Sequence, residues 1–305
     1  MQADETATGN WSRELAVAQA TVREAAVVVK AFYDRADAGV YEKDDHTPLT
    51  DADLAADALI RERIATAFPD DGLLTEESAD DPARLMKRWL WIADPIDGTK
   101  QFVDRTGEFD VFLALTVDGR PVVAVSAHPV SGQLLWASEG GGAWVEQGGE
   151  VQRLRFPEPP DDAAVRVATS HYHGAPATLP LLERASRQAG FGPPESLPVG
   201  FQTRAFIDSL TGDARYEVFI GPGRDIDGPN FSGGEWDNAA TDLLVREAGG
   251  AFTDIRGRLF RYNKPDARNF GGIFAAVSPT IHARLLASLE AELPPISDAP
   301  DPDGA

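Results

Sequence analysis

A short aromatic and apolar segment, residues 88–93, runs directly into the string Asp94-Pro95-Ile96-Asp97-Gly98-Thr99. The composition of the segment predicts a buried strand, and the residues of the string predict a turn where that strand stops. Such a turn can aim the carboxylates of Asp94 and Asp97 and the carbonyl of Ile96 at one point. Oxygen ligands of these kinds suit hard cations such as Mg²⁺. The chain is therefore constrained to a fold in which a sheet ends at an oxygen-lined site.

Asp, Pro and Gly are common turn residues, so an isolated copy of this string would predict no more than a turn. Three further acidic places favour a shared site: Asp53, the pair Glu76-Glu77, and Asp237. Each has a structural alternative. Asp53 can form a capping box with Thr50, Glu77 can be a solvated carboxylate, and Asp237 lies near the predicted start of a helix, where the dipole favours an acid. Together, the four places favour a metal site.

Hydrophobic periodicity predicts two amphipathic helices at residues 12–38 and 50–68, followed by an antiparallel meander at residues 109–145. Beyond a Pro-rich stretch, strands alternate with helices, which predicts an α/β second lobe. We therefore expect an N-terminal α+β lobe at residues 1–160 that carries most of the metal ligands. A C-terminal α/β lobe is expected at residues 161–293, and a disordered tail at residues 294–305.

Cysteine is absent, which excludes disulfides, thiolate metal sites and thiol nucleophiles. The chain has 28 Lys and Arg against 49 Asp and Glu, and this charge argues against binding polymeric nucleic acid. No run of 18 apolar residues predicts a membrane span. The first ten residues lack the basic and apolar regions of a secretory signal, so a cytoplasmic location is expected.

Three strings in order resemble the inositol monophosphatase superfamily: Leu74-Thr75-Glu76-Glu77-Ser78, Asp94-Pro95-Ile96-Asp97-Gly98-Thr99, and Glu235-Trp236-Asp237-Asn238-Ala239-Ala240 followed by Gly249-Gly250. Further strings resemble its 3'(2'),5'-bisphosphate nucleotidase branch: Asp97-Gly98-Thr99-Lys100-Gln101-Phe102 with Arg105, Gly107-Glu108-Phe109, Lys43-Asp44-Asp45 and Tyr262-Asn263-Lys264. The likeness spans residues 15–289, most of the chain.

The resemblance implies a layered α/β/α/β/α sandwich, in the α/β fold class, and a Mg²⁺-dependent, lithium-sensitive hydrolase of phosphate monoesters. It implies two or three Mg²⁺ ions bound by Glu76, Asp94, the Ile96 carbonyl, Asp97 and Asp237. It assigns catalytic roles to Asp53, Thr99 and Glu77, with Asp53 and Thr99 positioning the attacking water. It assigns substrate contacts to Gly98, Thr99, Lys100, Gly200 and Arg204. The partner is then a small phosphorylated metabolite, and a homodimer is expected because members of the superfamily are often dimers.

The resemblance makes adenosine 3',5'-bisphosphate the first expectation for the substrate. Lys100, Arg105 and Arg204 either neutralise its second phosphate or are solvated surface residues. The alternatives are inositol monophosphate or another sugar phosphate, and a cation-dependent binding protein that does not hydrolyse its ligand. The chain departs from the nucleotidase pattern after Gly200, where Phe201-Gln202-Thr203 replaces small hydroxyl residues, and in the additional stretch at residues 223–233. The metal motifs therefore predict the chemistry more strongly than the substrate.

Overall fold

The computed structural model describes residues 10–36, 38–43, 47–156, 165–170, 179–197, 216–221 and 231–293. Its helices are α1 (Ser12–Arg35), α2 (Asp51–Ala67), α3 (Thr99–Val103), α4 (Leu179–Gln188), α5 (Glu235–Glu247) and α6 (Pro279–Glu292), and a 3₁₀ helix spans Pro82–Met86. No helix in these ranges is long and apolar enough to cross a membrane. The predicted tail at residues 294–305 lies outside the described part of the chain.

The strands of the first half are β1 (Val40–Glu42), β2 (Pro48–Thr50), β3 (Gly72–Thr75), β4 (Trp89–Asp97), β5 (Asp110–Val117), β6 (Arg120–His128), β7 (Gln133–Ser138), β8 (Gly142–Gln147) and β9 (Glu150–Leu154). Those of the second half are β10 (Val167–Ser170), β11 (Glu195–Leu197), β12 (Val218–Gly221), β13 (Phe231–Gly234), β14 (Ala251–Thr253), β15 (Arg268–Phe270) and β16 (Ile273–Ala276).

A seven-stranded sheet runs in chain order from β3 to β9. Strand β3 pairs with β4 in parallel, and every later neighbour pairs antiparallel, which confirms the predicted meander. Side chains alternate between the two faces, as they must in a pleated strand. Trp91 and Ala93 face the core formed with α1 and α2, whereas Leu90 and Ile92 face the core formed with the second half. Both faces of β4 are therefore buried.

The second half forms a five-stranded mixed sheet in the order β11-β10-β12-β16-β14. Helix α5 packs on the face of the large sheet opposite α1 and α2, and it also contacts β14; α4 packs against α6, which contacts β16. The layers therefore follow the expected α/β/α/β/α order. The predicted lobe boundary at residue 160 lies outside the described residues and stays a prediction.

The predicted start of α2 is confirmed by a capping box. The Thr50 hydroxyl accepts from the Asp53 backbone N–H, and the Asp53 carboxylate accepts from the Thr50 N–H at 2.8 Å. The prediction that strand β4 ends at residue 93 is wrong. The strand continues to Asp97 because Asp97 still pairs with Asp110 of β5, across a bulge after Asp94. The bulge inserts extra residues into β4 without ending the pairing of β4 with β5.

Candidate metal centre

Three carboxylates from separate elements converge at one end of the large sheet. Glu76 follows β3, Asp94 lies in β4, and Asp237 lies in the first turn of α5. Because β3 and β4 are parallel neighbours, their carboxyl ends meet, and the Glu76 N–H donates to the Ala93 carbonyl at 3.3 Å. One oxygen from each carboxylate lies within 4.8 Å of the other two. This spacing allows one cation to contact all three side chains.

Burial and the repulsion between neighbouring charges raise the pKa values of Asp94 and Asp237 in this cluster. Asp94 is buried, and its Oδ2 accepts no hydrogen bond from the described residues. Burial, followed by the charge of Glu76, raises the pKa of Asp94 well above its usual range. The same two causes raise the pKa of Asp237 to about 8. A buried carboxylate oxygen without a donor, beside two further acids, fits a hard divalent cation.

Asp97 and the Ile96 carbonyl, both predicted ligands, lie beside this group rather than within it. Burial and the charge of Asp237 raise the pKa of Asp97 well above its usual range, so the two carboxylates interact. The Ile96 carbonyl lies 3.1 Å from the Thr99 hydroxyl, within reach of its proton. The predicted ligand roles of Asp97 and the Ile96 carbonyl stay predictions.

The predicted water-positioning pair is brought together. The Thr99 hydroxyl lies 3.1 Å from Oδ1 of Asp53, whose Oδ2 accepts from Thr50. Burial raises the pKa of Asp53 to about 6, against the lowering effect of the Thr50 hydrogen bonds. Asp53 therefore caps α2 with one oxygen and faces Thr99 with the other, so the structural and the functional interpretation are compatible.

Lys43 is a residue whose place at the site the sequence motifs did not reveal. Its ammonium lies 2.7 Å from Glu76 and 2.6 Å from Glu77. Burial alone would lower the pKa of Lys43, but the charges of Glu76 and Glu77 hold it above its ordinary value. Burial, followed by the charge of Glu76, raises the pKa of Glu77 to about 7. A lysine in a chain whose motifs are acidic was the available signal in the sequence. Its two partners could not be predicted, because Lys43 reaches them only through the pairing of β1 with β2.

The sequence motifs also did not reveal a contact between Asp57 and Ser78. The Ser78 hydroxyl donates to Oδ2 of Asp57 at 2.6 Å, which ties the segment after Glu77 to α2. Asp57 lies one turn beyond Asp53 on that helix, so i, i+4 spacing on a predicted helix was the available signal.

The predicted substrate contacts are only partly described. Gly98 has φ +94°, and a Cβ at that position would lie 3.0 Å from the Glu108 carbonyl, so the turn into α3 favours glycine. The Lys100 ammonium forms an exposed ion pair with Asp104. Gly200 and Arg204 lie outside the described residues. Arg105 places its guanidinium 3.7 Å from the centre of the Tyr33 ring.

The sequence model of the inositol monophosphatase family matches residues 10–293. A 3'(2'),5'-bisphosphate nucleotidase CysQ from Aggregatibacter actinomycetemcomitans is 30% identical over 244 residues, 78% of this chain and 83% of the relative. A histidinol-phosphatase from Chlorobaculum parvum is 32% identical over 246 residues, 80% and 87% of the two chains. The crystal structure of CysQ from Bacteroides thetaiotaomicron superposes with a TM-score of 0.66 at 25% identity, covering 88% of this chain and 98% of that one.

The family match covers the described elements that form the carboxylate cluster, and the donor set of that cluster suits the metal dependence of the family. The chain therefore belongs to the inositol monophosphatase family and is a phosphatase that hydrolyses phosphoric monoesters.

Proposed function

We propose that the protein is a Mg²⁺-dependent 3'(2'),5'-bisphosphate nucleotidase that removes the 3'-phosphate of adenosine 3',5'-bisphosphate. The observation that carries the metal-dependent hydrolysis is the meeting of Glu76, Asp94 and Asp237 within 4.8 Å, beside the Thr99–Asp53 pair. The choice of substrate is supported by the nucleotidase relatives and by the motif strings that resemble that branch.

Glu76, Asp94 and Asp237 are assigned to hold two or three Mg²⁺ ions, together with Asp97 and the Ile96 carbonyl. When bound, such ions supply positive charge that stabilises the transferring phosphoryl group and the leaving oxygen. Asp97 interacts electrostatically with Asp237, so these residues act as one charged set.

Thr99 and Asp53 are assigned to the attacking water. With its proton directed to Asp53, the Thr99 hydroxyl oxygen can accept a hydrogen bond from water and orient it. Asp53 is placed to take up a proton as water attacks, because its Oδ1 lies 3.1 Å from the Thr99 hydroxyl. Glu77 is assigned to the same proton transfers, and the Lys43 ammonium, 2.6 Å from its carboxylate, holds it in place.

Gly98 and the backbone amides of Thr99 and Lys100 are assigned to the phosphate oxygens. Gly200 is assigned to the substrate wall, and Arg204 is assigned to a second phosphate of the substrate. The homodimer, the cytoplasmic location and the preference for a small metabolite over polymeric nucleic acid stay predictions.

Phosphate release from a substrate panel tests the proposal. The panel contains adenosine 3',5'-bisphosphate, inositol 1-phosphate and L-histidinol phosphate, each with Mg²⁺ and with EDTA. The last is included because a histidinol-phosphatase is 32% identical over 80% of this chain. We expect the highest kcat/KM for the bisphosphate and no release in EDTA. A higher kcat/KM for either other ester would reject the nucleotidase, and binding without release would favour the binding-protein alternative.

A further inference from the structure

Arg84 is a buried arginine in the 3₁₀ helix that connects β3 with β4. Its side chain is 1% exposed, and it donates to both carboxylate oxygens of Asp80, at 2.6 and 2.8 Å. Its other hydrogen bonds reach the second half of the chain, to the Asn263 side-chain oxygen and the Lys264 carbonyl, both at 2.9 Å. A buried guanidinium requires such partners, so these contacts fix its position.

The segment Asn263-Lys264 continues the connection to the start of α5. The backbone N–H groups of both residues donate to the Glu235 carboxylate, at 2.7 and 3.0 Å, and the Lys264 ammonium lies 2.9 Å from it. The side-chain amide of Asn263 donates back to the carbonyls of Arg84 and Lys87. Glu235 is fully buried and is the first residue of α5, two residues before Asp237.

These contacts join the elements that deliver the three carboxylates. The 3₁₀ helix lies between the strand that precedes Glu76 and the strand that carries Asp94, and α5 carries Asp237. One oxygen of each carboxylate lies within 4.8 Å of the other two, so the three negative charges repel each other when no cation lies between them. A hydrogen-bonded connection outside the cluster can hold the start of α5 in place against that repulsion.

We propose that Arg84 and Glu235, linked through Asn263-Lys264, form a brace that positions Asp237 relative to Glu76 and Asp94 and thereby sets the affinity of the centre for divalent cations. The inference rests on the proposed metal binding and adds two positioning residues to it. Neither side chain is assigned as a metal ligand.

Glu247 provides a matched control at the other end of the same helix. Its carboxylate accepts from the backbone N–H groups of Gly140 and Gly142, both at 2.9 Å, and so ties α5 to the β7–β8 turn. Glu247→Gln weakens a contact between α5 and the large sheet without disturbing the end of α5 that carries Asp237.

The test uses Arg84→Met, Arg84→Lys, Glu235→Gln and Glu247→Gln in the full chain. Met keeps the length of the arginine stem but has no donors, and Lys keeps the charge but cannot reach all the acceptors. Gln at position 235 keeps one oxygen acceptor and directs an amide donor either at the Asn263 N–H or at the N–H and ammonium of Lys264. Mn²⁺ affinity is measured by titration calorimetry, and unfolding is measured in EDTA to record stability separately.

We expect Arg84→Met and Glu235→Gln to weaken Mn²⁺ binding by about 10- to 100-fold, the usual effect of losing a group that orients a ligand. Arg84→Lys should lie between Arg84→Met and the wild type, and Glu247→Gln should bind Mn²⁺ as the wild type does. Saturating Mn²⁺ should restore turnover in Arg84→Met. Unchanged Mn²⁺ affinity in both brace variants, or equal weakening in Glu247→Gln, would overturn the inference.

The brace and the proposed function fail in different ways. Wild-type protein that binds Mn²⁺ and loses affinity in the brace variants, yet releases no phosphate, supports the brace and rejects the proposed hydrolysis. Wild-type protein that hydrolyses its substrate, with brace variants that bind Mn²⁺ equally well, rejects the brace alone. Absence of Mn²⁺ binding by the wild type rejects both.

Discussion

Asp237→Asn should separate the stability of the metal-free protein from its activity. The carboxylate lies in the first turn of α5, where it accepts from the Gly234 N–H, and it repels Glu76. Asn keeps an oxygen for the Gly234 bond and removes the charge. The variant should therefore gain stability without cations and lose the ability to hold them.

The magnitude follows from the pKa of Asp237, about 8 in the folded protein against an ordinary value of 3.8. A raised carboxyl pKa means that the folded state holds a proton that the unfolded state releases, so stability falls as pH rises from about 4 to about 8. At pH 7 the shift corresponds to at most roughly 4 kcal/mol. Asn avoids this cost, so we expect a gain of about 1–4 kcal/mol in EDTA, which is roughly 2 °C in Tm for each kcal/mol.

Thermal unfolding in EDTA and in Mg²⁺, from pH 5 to 8, measures the effect beside a phosphate-release assay. The variant should melt above the wild type in EDTA at pH 7, show a smaller decline with rising pH, gain little from Mg²⁺, and lose turnover by orders of magnitude. A lower Tm than the wild type in EDTA, or preserved turnover, would refute the reasoning.

Three further predictions concern single groups. Thr99→Ala should lower kcat strongly and change Mn²⁺ affinity little, because the hydroxyl contacts Asp53 and the Ile96 carbonyl but is not itself assigned as a metal ligand. A large loss of Mn²⁺ binding in calorimetry would contradict this role. Lys43→Met should lower the Tm in EDTA, because Glu76 and Glu77 lose their shared cation, whereas Lys30→Met, which removes an exposed pair with Asp34, should not. Burial lowers the pKa of His282 to about 4 from 6.5, so stability is lost as pH falls from 6.5 towards 4, by up to roughly 3 kcal/mol, and His282→Gln should reduce this loss in urea unfolding.

Local patterns predicted the elements that depend on local physics. The Thr50–Asp53 capping box follows from side chains three residues apart, and the meander follows from alternation and turn residues. Strand β3 was missed because four residues after a helix stop carry too little periodicity, and its parallel pairing with β4 depends on a crossover. The end of β4 was placed too early because the Asp110 pairing overrides the turn preference of Asp94-Pro95.

The acidic members of the site could be predicted because carboxylates in separate motifs, each beside turn or helix-start residues, form a donor set that suits a divalent cation. Their partners could not. Lys43, Arg84 and Glu235 acquire their roles from contacts with residues 29 to 180 positions away in the chain. No local pattern encodes those contacts, because a charged side chain in the sequence is as compatible with a solvated surface as with a buried ion pair.

Anomalous diffraction from a crystal grown with Mn²⁺ tests the central claim most directly. We predict a peak among the side chains of Glu76, Asp94 and Asp237, roughly 2.0–2.2 Å from their oxygens, as expected for a small divalent cation. A crystal of catalytically active protein that shows Mn²⁺ elsewhere and leaves these three carboxylates without a cation would contradict the account.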